Sequence, residues 1–90
     1  MAARVYLPAQ LARLYQIRLP LEVNGVRVRE IIAELDRLYP GIKDRLTEGP
    51  NLRPYILVFV NQEPADLDTP VSPGAEVRFV AAVAGGSETV

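Results

Sequence analysis

The apolar positions change period along the chain, and the changes mark out its elements. Val5-Tyr6-Leu7 is a short β-rich run closed by Pro8. A loop is expected after it. Ile17 to Val23 (IRLPLEV) then carries apolar residues at every odd position, which predicts a half-buried strand. Pro20 cannot donate to a ladder, so this strand is expected at a sheet edge, with position 20 turned away from its partner. Asn24-Gly25 reads as a turn. Val28, Ile31, Ile32, Leu35 and Leu38 next form one apolar stripe at helical spacing, with Arg29, Glu30, Glu34, Asp36 and Arg37 off it. Pro40-Gly41 stops that helix. Ile42 to Leu46 is expected as a short extra turn, and Thr47 to Asn51 as a loop.

The second half reads as strands. Tyr55 to Val60 (YILVFV) is continuously apolar and rich in β-branched and aromatic residues, which predicts a central strand covered, at least in part, on both faces. Asn61-Gln62-Glu63-Pro64 reads as a turn, Asp66 to Pro73 as mostly irregular, and Pro73-Gly74 as another turn. Glu76 to Val83 (EVRFVAAV) is the last strand. The order is β-β-α-β-(short β or turn)-β. Four or five strands and one amphipathic helix predict a single sheet packed on that helix, an α+β domain.

Composition narrows the chemistry. The 90 residues include no cysteine and no histidine, so no thiolate and no imidazole is available for catalysis or metal binding. Ten basic and eleven acidic residues give a net charge of −1, spread along the chain with no basic stripe, so nucleic acid is not an expected partner. No apolar run approaches the roughly 20 residues that span a bilayer, and MAARVYLPAQ does not read as a secretory signal. The expected location is the cytoplasm. Asp66 and Asp68 read as solvated loop charges, and Arg27 and Arg29 as a solvated helix face. No phosphate-binding or dinucleotide-binding glycine motif is present.

One feature has no ready structural use: Gly85-Gly86 behind the last strand. A frayed terminus is the plain reading. Two residues without Cβ would also make a thread thin enough for a narrow tunnel. A chain ending at Gly86 would then carry its α-carboxylate into another enzyme's active site.

This arrangement resembles the β-grasp sulfur-carrier proteins, which are similar in fold to ubiquitin. They are the small subunit of molybdopterin synthase, the thiamine sulfur carrier and the carrier of an alternative cysteine biosynthesis. The resemblance runs from Arg4 to Gly86 and rests on LYPGIKDRL (38–46), VFVNQEPA (58–65) and PGAEVRFVAAVAGG (73–86). It implies a β-grasp domain over 1–84 and a tail over 85–90. It implies that Gly86 bears the reactive carboxylate and that Gly85 gives a slim approach. A partner resembling ubiquitin-activating enzyme would adenylate Gly86 with ATP and magnesium, and a sulfur donor would convert it to a thiocarboxylate. A sulfur-accepting synthase would receive the sulfur, with cysteine or molybdopterin biosynthesis the expected pathway. The carrier itself would be no enzyme and would bind no cofactor or metal. The first and last strands would lie side by side in mid-sheet, with the second at an edge. The open face of the sheet would dock on the activating enzyme, and Tyr6, Pro64 and Val80 are the candidates for that patch.

Two departures stand out. Arg27 occupies the position before the helix where relatives often have Ser or Thr, which forgoes a cap of about 1 kcal/mol. Ser87 to Val90 follow Gly86 and lock its carboxylate in a peptide bond. Removal of 87–90 by a zinc protease of JAMM type is the leading expectation. The alternatives are a ubiquitin-like interaction module that carries no sulfur and a tag joined to lysines.

Overall fold

A computed structural model describes residues 2–81. Gly85, Gly86, residues 87–90 and the expected end of the last strand at Ala82-Val83 lie outside the described residues. The chain runs β1 (Ala2–Tyr6), α1 (Ala9–Tyr15), β2 (Leu21–Asn24), α2 (Val28–Leu38), α3 (Ile42–Leu46), β3 (Thr47–Glu48), β4 (Asn51–Leu52), β5 (Ile56–Val60), β6 (Glu63–Ala65) and β7 (Glu76–Ala81). Five strands form one mixed sheet in the order β2-β1-β7-β5-β6. β1 and β7 are parallel neighbours at its centre, and the other pairings are antiparallel. β3 and β4 make a separate two-residue hairpin where a loop was expected.

The core lies between one sheet face and the helices. α2 buries Val28, Ile31, Ile32 and Leu35 against it. Leu38 is 42% exposed, although it belongs to the predicted stripe. Ten residues on from Val28 the helix has turned about 80° from that starting direction, so Leu38 sits at the margin of the stripe. From the sheet, Ala3, Val5, Val23, Ile56, Val58, Val77 and Phe79 complete the core.

Three sequence expectations need correction. Residues 9–15, expected as a loop, form helix α1. Its buried contribution is small, Leu11 and Ala12, and seven residues offer too little periodicity to read. Pro8 at the N-cap position starts the helix rather than breaking the chain. Its end is a Schellman closure, with the Gln16 N–H donating to Arg13 O (3.2 Å) and the Ile17 N–H to Ala12 O (2.8 Å). Gln16 takes the left-handed position that glycine usually fills. This closure, followed by a bend at Leu19-Pro20, removes Ile17 to Pro20 from the predicted strand. β2 is an edge strand as expected, but Pro20 precedes it rather than lying within it.

Second, the turn expected over 61–64 needs only Asn61 and Gln62, both at positive φ. Glu63 and Pro64 continue into β6, where Pro64 faces Phe59. An edge strand tolerates the missing N–H. Third, β5 is covered unequally: Ile56 and Val58 are buried on one face, while on the other Leu57 is 45% exposed and Phe59 is half-buried.

Arg27 occupies the N-cap of α2 and makes no side-chain cap bond there. The loop after β6 supplies what it lacks. Thr69 O accepts from the Val28 N–H at 3.1 Å and Leu67 O from the Arg29 N–H at 2.9 Å. Asp66 holds that loop in shape, its Oδ1 accepting from the Asp68 N–H (2.8 Å) and the Thr69 hydroxyl (3.2 Å). Asp68 pairs with Arg29 at 2.7 Å. Asp66 therefore organises a turn, beyond the solvated role expected of it. Replacing Asp66 by Ala is expected to lower stability by about 1 kcal/mol, the size of a lost cap. Amide hydrogen exchange at Val28 and Arg29 should accelerate before exchange in the central strands; unchanged protection there would refute this capping role.

Candidate functional site: the open sheet face and the exit of the chain

β-strand alternation sends every second residue of the sheet away from the helices. The register places Tyr6 beside Arg78, Arg78 beside Phe59, and Phe59 beside Pro64, a lateral row across four strands. Val80 and Leu57 form the adjoining row. All three residues proposed from sequence, Tyr6, Pro64 and Val80, thus lie on the open face. Leu57, Phe59 and Arg78 share that face and were missed. Leu57 and Phe59 were hidden in the unbroken apolar run, which shows no alternation.

The remainder of the face is polar. Arg4 lies between Glu22 on β2 and Glu76 on β7. The sheet is therefore charged on its β2–β1 side and apolar on its β7–β5–β6 side. Arg78 stands inside the apolar part. Its guanidinium carbon lies 4.1 Å from the Tyr6 ring centroid, a cation–π geometry. Its Nε also donates to Glu76 Oε2 at 3.4 Å. Shallow hollows of about 390 and 330 Å³ flank Arg78, one between Leu7–Gln10 and β7, the other beside Phe59 and Pro64.

A wider hollow of about 670 Å³ lies where the described chain ends. Leu14 and Tyr15 of α1, Arg45 of α3, Tyr55 and Ala81 are among its walls. Leu14 and Tyr55 are 56% and 48% exposed. Gly41, also on its rim, has φ +96°, and a Cβ there would approach the Tyr15 hydroxyl to 3.2 Å. The left-handed φ favours glycine at 41, and any Cβ there would press the Tyr15 hydroxyl aside by a few tenths of an ångström.

Among the described residues no three acidic groups cluster as metal ligands. The perturbed titratable pair is Glu34 and Arg37 on α2: the Arg37 hydrogen bond holds the Glu34 carboxyl below its ordinary range. That pair lies on the exposed helix surface, not on the open sheet face. No helix among the described residues is long and apolar enough to cross a membrane.

A mixed five-stranded sheet grasping one main helix, with parallel first and last strands, defines a ubiquitin-like β-grasp protein. The chain matches the ThiS family over residues 5–86 and belongs to that family of β-grasp sulfur carriers. Solved structures agree. A chain of the Amycolatopsis orientalis BexX/CysO complex is 32% identical, covering 94% of this chain and 100% of that one, with a TM-score of 0.86. Mycobacterium tuberculosis CysO is 24% identical, covering 90% and 99%, with a TM-score of 0.81. Urm1 from Trypanosoma brucei is 26% identical, covering 94% and 95%, with a TM-score of 0.61. No curated protein sequence matches the chain.

The two faces of β5 give a direct test of the site's geometry. Leu57→Asp is expected to leave stability within about 0.5 kcal/mol, as surface changes do. Val58→Asp, one residue on, should cost more than about 3 kcal/mol through a buried unpaired charge. Thermal melts that rank the two variants in the opposite order would overturn the assignment of faces.

Proposed function

We propose that this chain carries sulfur on its C-terminal glycine. Residues 87–90 are first removed, by a zinc protease of JAMM type, which frees the Gly86 carboxylate. A partner resembling ubiquitin-activating enzyme then adenylates that carboxylate with ATP and magnesium. A carboxylate is a poor electrophile and an acyl-adenylate a good one, so a sulfur donor can displace AMP and leave a thiocarboxylate. The thiocarboxylate is a nucleophile that delivers sulfur to a synthase, in cysteine or molybdopterin biosynthesis. Every step runs in the cytoplasm, where ATP is at hand. The domain over 1–84 is the handle and the tail over 85–90 the arm, with Gly85 narrow enough to follow Gly86 into a partner's site.

The observation that carries this reading is the family match, which runs through β7 and stops at Gly86. Ser87 to Val90 fall outside it. The open face supports the reading as a docking surface, with Tyr6, Pro64 and Val80 joined by Leu57, Phe59 and Arg78. An apolar patch with one embedded arginine has the composition of an interface centre.

Intact-mass spectrometry of the chain from its native cells tests the proposal. A product ending at Gly86, heavier by one sulfur-for-oxygen exchange, is expected. A chain that keeps Ser87 to Val90 under sulfur demand would sink it. Gly86→Ala should fold normally and lose at least about 100-fold in activation, the scale of an ångström-sized misplacement of a reacting group.

A further inference from the structure

An edge strand exposes the backbone groups that its inner neighbour does not use. On β1, the Arg4 N–H donates to Ala75 O, and Ala2 O accepts from the Gly74 N–H. Ala2 and Arg4 thus turn their backbone groups toward β7, and Ala3 and Val5 turn theirs toward β2. Val23 and Leu21 lie opposite Ala3 and Val5 and complete that ladder. Glu22 and Asn24 alternate with them, so their N–H and C=O groups point out of the sheet. No other backbone group among the described residues takes them up.

The far edge of the sheet is closed by comparison. The Asn61 N–H donates to Glu76 O at 2.8 Å, so Leu57 and Phe59, in phase with Asn61, face β7 while Val58 and Val60 face β6. Pro64 lies opposite Phe59 and therefore faces outward, where it has no N–H to offer. β6 presents an incoming strand with no donor, whereas β2 presents donors and acceptors at Glu22 and Asn24.

The residues along β2 fit a second copy of the same strand. A two-fold axis at Val23, normal to the sheet, sets Glu22 opposite Asn24 of the second copy in an antiparallel pair. The outward groups then meet as bonded pairs on both sides of the axis. Each Glu22 carboxylate lies across from an amide donor, whereas an axis at Glu22 would oppose like charges. On the inner face, half-buried Leu21 lies opposite Gly25, which brings no side chain against it. Leu19 and Val26 stand beyond the two ends of β2, 37% and 64% exposed. Antiparallel pairing brings the Leu19-Pro20 end of one copy to Val26 of the other, which covers both.

We propose that β2 is a self-association edge, through which two copies of this chain join into one continuous sheet. The axis keeps both open faces on the same side, so the pair presents the row Tyr6, Arg78, Phe59 and Pro64 twice on one flank. The interface is short, which places the association among the weak, transient ones. It uses no part of the chain beyond the described residues and stands whether or not the chain carries sulfur.

Sedimentation velocity across a concentration series, with amide hydrogen exchange read by NMR, tests this on the full chain. The dimer fraction should rise with concentration, and the Glu22 and Asn24 amides should gain protection in step with it. Asn24→Asp sets a second carboxylate against Glu22 and should weaken association about tenfold, while Asn24→Lys sets a cation there and should strengthen it. Both changes fall on an exposed side chain. Glu22→Pro removes an outward donor, as Pro64 does on the far edge, and should leave a monomer. A chain that stays monomeric up to about 1 mM, the weak end of the affinity scale, overturns the proposal, even if another protein's strand takes the edge. A dimer that answers both Asn24 variants in the same direction, or neither, overturns it as well. So does a dimer abolished by Leu57→Asp, which would place the contact on the open face.

Discussion

The structure depends on the pairing of its first and last strands. Arg4, Val5 and Tyr6 run parallel to Glu76, Val77 and Arg78. Further bonds extend the join, from the Arg4 N–H to Ala75 O (2.8 Å) and from the Gly74 N–H to Ala2 O (3.0 Å). A contact between residues some seventy positions apart closes a long loop, and its entropy must be met by everything buried between. Val5 and Val77 at the centre of this pair are fully buried, so the pairing and the core form together. β2 and the β5–β6 hairpin then flank it, and α2 closes the inner face.

That one constraint also builds the outer face. Once β1 and β7 are in register, Tyr6 must lie beside Arg78 and Arg4 beside Glu76. β5 brings Phe59 and Leu57 to the other side of β7. A slip of one residue would carry Val77 and Phe79 to solvent and put Arg78 in the core, so burial fixes the register and the register fixes the patch. β7 is also the strand that leads toward Gly85-Gly86. The patch and the start of the arm therefore share one element, and whatever grips the face stands beside the exit of the chain.

The candidate site was legible in unequal parts. Gly85-Gly86 stands out in the sequence as two adjacent glycines behind a strand, and lies outside the described residues. Tyr6 and Val80 could be placed on the open face from strand period and the expected fold. Leu57 and Phe59 could not, since YILVFV offers no polar residue to show which side is wet. Nothing in EVRFVA sets Arg78 apart from any other charge on a strand surface. Only the neighbouring strand places the Tyr6 ring under its guanidinium, and that strand lies at the far end of the sequence.

Local pattern determined the long elements. The stripe Val28-Ile31-Ile32-Leu35 specifies α2 without help, Pro40-Gly41 ends it, and EVRFVA specifies β7, because periodic burial is written in consecutive residues. Tertiary structure decided the elements too short or too weakly patterned to specify themselves. α1 forms because Leu11 and Ala12 find a core. Pro64 becomes a strand residue because Phe59 is there to pair with. The helix start at Arg27 is satisfied by carbonyls forty residues downstream, at Leu67 and Thr69. The helix start and α1 depend on partners distant along the chain, and Pro64 on a cross-strand neighbour five residues back; the apolar pattern encodes none of these.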